Sequence, residues 1–193
     1  MFSRFNTQEK QVFIGNILFI VCCAFYLAWW LSAFKPSGAA AAGNTGWLLI
    51  PASLSGLAGV IIIIQGITAR TPSNKLLPVV YILLGGIAVF FILLAVTVLL
   101  FKRPATTELF LIVGWGMLVL AEINALFGLG LFSFKLSFGF ILILCAAVII
   151  SLVCYILYFR LDSFAGYIDG MIPLILAALI MAGISGFMMI SVR

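Results

Sequence analysis

Three features of this sequence predict an all-α, polytopic integral membrane protein, built as one bundle of about six transmembrane helices. The 193-residue chain is 66% hydrophobic and only 8% charged, with a mean hydropathy of +1.38. A soluble domain carries roughly 25% charged residues and less than about 50% apolar ones. The apolar residues gather into six long runs, at 11–34, 46–68, 76–101, 109–131, 136–159 and 170–192. Each exceeds the roughly 20 residues that a helix needs to cross about 30 Å of hydrocarbon. None alternates in polarity as barrel strands of about ten residues do. Lipid offers no partner to a free peptide group, so all six runs are expected to be helices. The whole chain, 1–193, reads as a single transmembrane domain.

The first run follows Arg4 and Lys10 and precedes Ala39-Ala40-Ala41, a pattern that mimics a secretory signal. It is too long for a signal core of about 7–15 residues, so it is read as a retained first helix. Lys35-Pro36-Ser37-Gly38 ends it. Thr71-Pro72-Ser73-Asn74 separates the second and third runs, and Lys102-Arg103-Pro104 the third and fourth, each rich in residues that stop helices. The short hinge at Phe132-Ser133 makes helices four and five antiparallel neighbours. The odd helices finish in Phe34-Lys35-Pro36, Phe101-Lys102-Arg103-Pro104 and Phe159-Arg160-Leu161, while Ile50-Pro51 and Ile172-Pro173 begin the second and sixth. This fits three tandem helical hairpins of one orientation. It fits equally well with aromatic and basic residues marking any membrane interface.

With the N-terminus inside, the inner loops hold Arg4, Lys10, Arg70, Lys75, Lys135 and Arg193, and the outer ones Lys35, Lys102, Arg103 and Arg160. The small excess of cations inside, six against four, leans toward both termini in the cytoplasm, and a plasma (inner) membrane is the expected location. The formal charge of +5 forms no basic stripe of the kind that tracks phosphates, which argues against nucleic acid. Anchoring to anionic headgroups accounts for it. Rows of small residues permit close helix contact, because lipid tails are as apolar as leucine and packing must supply the attraction. Ala24, Ala28 and Ser32 form one row, and Ala178, Ala182 and Gly186 another. Ala52 with Gly56 and Ser55 with Gly59 make two pairs. Such rows serve contact within the chain, with a membrane-protein partner or with a second copy.

Enzyme chemistry finds little support. The chain has no histidine, so it contains no Ser-His-Asp or Cys-His pair. Cys22, Cys23, Cys145 and Cys154 lack the spacing of a zinc site and read as small hydrophobes. No glycine-rich loop resembles a phosphate cradle, and no metal or cofactor is called for.

The chemistry that remains is polar groups in oil. Glu122 is the only charged residue within the six runs. A carboxylate at mid-membrane costs several kcal/mol, so it is expected to face the bundle or a wet cavity. Ala121 and Ala125 allow a neighbouring helix close, and Trp115 lies two turns earlier on the same face. Asn16, Gln65, Tyr81 and Asn124 sit at similar depth. Asn124 is about 200° round its helix from Glu122, whereas Asn16 and Gln65 can converge on it. A second candidate is an outer vestibule. Ser151, Tyr155 and Tyr158 line one face of the fifth helix and lead to Arg160, with Asp162, Tyr167 and Asp169 next in the chain. Lys35, Lys102, Arg103 and Glu108 belong to the same side. Arginine and tyrosine around a vestibule suit an anionic or aromatic solute.

A six-span chain of this length with both ends inside and Ala24-Phe25-Tyr26-Leu27-Ala28 on its first helix resembles the substrate-binding subunits of energy-coupling-factor transporters. The resemblance rests on that one motif, which here falls late in the helix. It implies a solute taken from outside and a coupling subunit docked on helix one. The expectation is therefore a small-solute transporter or the solute-binding membrane subunit of one, with Glu122 in coupling or recognition. The alternative is a non-catalytic structural or assembly subunit of a larger membrane complex.

Overall fold

The computed structural model describes residues 5–34, 45–68, 76–99 and 107–191. They form α1 (Thr7–Ala33), α2 (Leu49–Thr68), α3 (Leu76–Leu99), α4 (Thr107–Gly128), α5 (Phe134–Leu157), the short α6 (Ser163–Asp169) and α7 (Ile172–Ser191). Single 3₁₀ turns precede α2 at Thr45–Leu48 and follow α5 at Tyr158–Arg160. The described residues contain no strand. Five of these segments are long and apolar enough to cross a membrane, and Leu84–Leu99 of α3 adds a shorter apolar stretch. The all-α bundle is as the sequence predicts. The helix breaks at Lys35-Pro36, Thr71-Pro72 and Lys102-Arg103-Pro104 lie outside the described residues.

Helix ends follow local chemistry. Asn6 caps α1, its side chain accepting from the Thr7 amide at 2.8 Å while its own amide donates to Glu9 at 2.9 Å. This capping box starts the helix four residues ahead of the apolar run, and such a cap is worth about 1 kcal/mol. Pro51 and Pro173 occupy first turns, where a missing amide donor is harmless. At the end of α4, Leu131 N donates to Leu126 O at 3.1 Å and Gly130 N to Phe127 O at 3.0 Å. Gly130 takes the left-handed conformation this cap requires, at φ 74°. Ser133 then caps α5 by accepting from the Leu136 amide. The α4–α5 hairpin is thus set by a backbone cap that ends α4 and a side-chain cap that starts α5.

α1 and α2 pack most intimately, through glycine. A Cβ on Gly59 would stand 2.9 Å from the Gly15 carbonyl oxygen, and one on Gly66 would stand 3.1 Å from Gln8 O. Ala52 is buried, and Gly56 lies against the Cys22 thiol. The Ala52/Gly56 and Ser55/Gly59 pairs therefore serve contact within the chain. The other two rows are mostly turned outward: Ala24, Ala28 and Ala182 are exposed and Gly186 meets nothing within 4 Å, while Ala178 packs against the core. α7 packs on α1 and α5, and α3 packs outside α4, with Met117 over Gly86 and Phe90 edge-on to Phe110. α4 is the most enclosed helix. The hairpins are unequal, since α5 and α7 meet across an apolar groove lined by Gly139, Phe140, Ile143, Leu179 and Gly183 instead of a glycine seam.

Candidate functional site

The inward face of α4 repeats at i, i+3, i+7: Ile112, Trp115, Val119, Glu122 and Leu126 are all buried, as one stripe of a 3.6-residue period requires. That stripe carries Glu122 into the centre of the bundle. Asn16 arrives from α1 by a different route. Gly15 is pinned against α2, and the next residue points about 100° further round the helix, toward α4. Both side chains have zero exposure. Asn16 Nδ2 donates to Glu122 Oε1 at 2.6 Å, across 106 residues of sequence. This is shorter than the usual 2.7–2.9 Å of charge-assisted N–H···O bonds.

The bundle core around the pair is largely apolar, with Val12, Phe13, Ile63, Val119, Ile123, Met181, Ile184 and Met188 in one cluster and the buried Ser185 among them on α7. Among the described residues no lysine or arginine is buried. Glu122 Oε2 and Asn16 Oδ1, both fully enclosed, have no protein hydrogen-bond partner. The clasp therefore satisfies half of each group and leaves two acceptor atoms open. Such atoms cost roughly 1–3 kcal/mol apiece until something donates to them.

The other mid-depth residues do not join this pair. Gln65 is exposed although Gly66 beside it is buried, because the glycine, and not the amide, faces α1. Tyr81 is 66% exposed. Asn124 is half-buried on the opposite side of α4, as its angular offset predicts. Of the five residues placed at this depth by sequence, the fold brings together Asn16 and Glu122.

At the far end of the bundle, opposite the start of α1, the end of α1, the turn after α5 and α6 bring together part of the predicted vestibule set. Ser151 and Tyr155 are buried and Tyr158 is half-buried, its ring 6.0 Å from Trp30. Trp30 Nε1 donates to Tyr167 O at 3.0 Å, and the indole covers Gly170 so closely that no Cβ fits there. Asp162 is exposed and spent on capping α6, accepting from Ala165 N at 2.8 Å. Asp169 is buried, close enough to the Cys154 thiol for the two groups to interact electrostatically. Arg160 and Glu108 are exposed. Lys35, Lys102 and Arg103 lie outside the described residues.

Sequence reasoning missed the serines. Ser137, Ser151 and Ser185 are all buried with hydroxyls that find no protein partner. Ser151 was visible as part of a helical row, but nothing sets Ser137 or Ser185 apart from ordinary serines in apolar helices. Cysteine was read as a small hydrophobe. Cys23 fits that reading, Cys154 lies close to a carboxyl, and Cys145 is exposed. All four are free thiols. Among the described residues no three His, Cys, Asp or Glu side chains are grouped to hold a metal ion. No protein-family model, curated protein or solved structure matches this chain.

Proposed function

We propose that this chain is a small-solute transporter, or the solute-binding membrane subunit of one, with the Asn16–Glu122 pair as its coupling or recognition group. One observation carries the reading: a carboxyl with zero exposure, bonded at one oxygen and open at the other. Simple helix glue needs only mutual satisfaction, which an amide pair supplies at lower cost than a carboxyl. A carboxyl with an unused oxygen and no buried basic partner is suited to a transient cationic occupant, a proton or an amine-bearing solute.

The test separates that role from glue. Glu122→Gln preserves size and an oxygen acceptor for Asn16, and it adds donors that can reach Asn16 Oδ1. The variant should fold and insert as the wild type does. Untargeted mass spectrometry of small molecules released from purified wild type and variant should find a compound held by the first and lost from the second. Identical profiles from equally folded proteins refute the reading.

The second reading, a non-catalytic assembly subunit, draws on the outward position of Ala24, Ala28 and Ala182. It predicts a co-purifying membrane protein that Ala24→Leu or Ala182→Leu releases and Glu122→Gln leaves in place.

A further inference from the structure

Among the described residues, seven buried side-chain polar atoms have no protein partner: Gln8 Oε1, Asn16 Oδ1, Trp115 Nε1, Glu122 Oε2, Ser137 Oγ, Ser151 Oγ and Ser185 Oγ. All seven belong to α1, α4, α5 and α7, whereas what α2 adds to the same core is the apolar Ile63 and Ile67. Buried polar atoms in proteins are satisfied by protein or by ordered water. A set confined to one four-helix interior asks whether they share the same water.

Their depths follow from helix contacts and a rise of about 1.5 Å per residue. Trp115 is seven residues from Glu122 on one face of α4, about 10 Å toward the far end. A Cβ on Gly116 would meet Val148 at 3.1 Å, which sets the antiparallel register of α4 against α5. Position 151 then lies level with position 113, so Ser151 is about 3 Å beyond Trp115. One turn further along α5 stand the buried Cys154 and Tyr155, and the buried Asp169 lies at the same end, next to the Gly170 that Trp30 covers. On the other side of Glu122, Ser137 is level with position 127, about 7 Å nearer the start of α1. The contact of Trp30 with Gly170 sets α7 against α1 and puts Ser185 within about one turn of Asn16. Gln8 follows two turns below Asn16. The atoms thus succeed one another along most of the bundle.

We propose that these groups form a hydrated file through the core of α1, α4, α5 and α7, and that it carries protons between Asp169 at the far end and the Asn16–Glu122 pair. This rests on the functional reading above and names the coupling species. The chemistry is proton transfer alone. A proton passes from water to water, or through a serine hydroxyl that accepts one and releases another, and ends on Glu122 Oε2. Leaving the carboxyl on the Ser185 side, it continues toward Ser137 and Gln8, and the carboxylate is restored. Trp115 takes no proton and orients water by donating to it.

A proton is favoured over sodium by the backbone. Sodium sites in membrane bundles recruit carbonyls from unwound helix, whereas α1, α4 and α7 run unbroken past this depth. No other strong acid or base lies at the depth of the pair. α2 and α7 contain no titratable residue, α3 offers only the exposed Tyr81, α4 adds only the exposed Glu108, and α5 contributes Cys154 and Tyr155 at the far end, with Lys135 and Cys145 exposed. α1 contributes Cys22 and Cys23, two turns from Asn16, Tyr26 nearer the far end, and at its start Lys10 and Glu9, the latter engaged in the helix cap.

The experiment is infrared difference spectroscopy on the full protein in liposomes, wild type minus Glu122→Gln, after rapid transfer into D₂O. It needs no solute, so it can fail while the solute reading stands, and the converse also holds. The expected result is a protonated-carboxyl band, absent from Glu122→Gln, that shifts to its deuterated position well before the core amides exchange. Ser151→Val combined with Ser137→Val, which interrupts the file on both sides of Glu122, should slow that shift by at least about tenfold, and Ser53→Ala, at an exposed site on α2, should not. The paired alanine substitutions, which add no bulk, give the same comparison if valine prevents folding. A carboxylate signature in place of the protonated band overturns the proposal. So does a band that shifts no faster than the core amides, or one whose rate ignores the paired substitutions.

Discussion

Replacing Asn16 with valine removes the one donor that reaches Glu122 and leaves both carboxyl oxygens without a protein partner. A hydrogen bond to an ionisable group is worth about 1.5–3 kcal/mol in soluble proteins. Cycles in membrane bundles average about 0.6 and reach about 1.7. The lower scale arises because a membrane-unfolded helix finds other partners. Complete enclosure and the 2.6 Å separation place this bond at the top of that scale. Asn16→Val should therefore destabilise the bundle by about 2 kcal/mol, most of it from the stranded carboxyl. Glu122→Met should cost about 1.5 kcal/mol by stranding the amide instead. The double variant replaces both groups with apolar ones of similar shape, and should fall well short of the sum, leaving a coupling of about 1.5 kcal/mol. Reversible unfolding in mixed micelles, followed by tryptophan fluorescence, measures all four proteins. Additivity within about 0.5 kcal/mol would mean that the two side chains do not interact in the membrane, and the site as described would not exist.

Three further substitutions test the scaffold that positions the pair. Gly59→Ala drives a methyl toward the Gly15 carbonyl oxygen at 2.9 Å and should cost about 1–3 kcal/mol by forcing α1 from α2. Gly114→Ala, with nothing within 4 Å, should be neutral or slightly stabilising in the same unfolding assay. Gly130→Ala places a side chain in the left-handed turn at φ 74° and should lower stability by about 1 kcal/mol. If it does not, the α4–α5 turn is not held by the cap described.

Much of the fold was legible because hydrocarbon imposes a strict rule on the backbone: long apolar runs become helices. The boundaries shifted by a few residues where caps intervened. Asn6 and Glu9 carried α1 to Thr7, ahead of the apolar run at 11, and Asp162 caps a separate short helix, α6, at Ser163–Asp169 before the last span. Those caps are local hydrogen bonds that hydropathy does not register. Glu122 was conspicuous as a lone acid, and its inward direction followed from its cost in lipid.

The choice of partner was a different matter. Asn16 and Gln65 were equivalent by depth and by residue type. They were separated only when Gly15, Gly59 and Gly66 brought α1 and α2 into backbone contact, turning Asn16 toward α4 and Gln65 outward. Packing of α5 on α4 and α7 likewise buried Ser151 and Tyr155, while Ala24, Ala28 and Ala182 stayed on the surface. Solvent class and helical content belong to the sequence alone, since each segment meets the energetics of lipid independently. Pairing between helices belongs to the tertiary structure, because it is fixed by which small residues let two backbones approach, and that is a property of two segments at once.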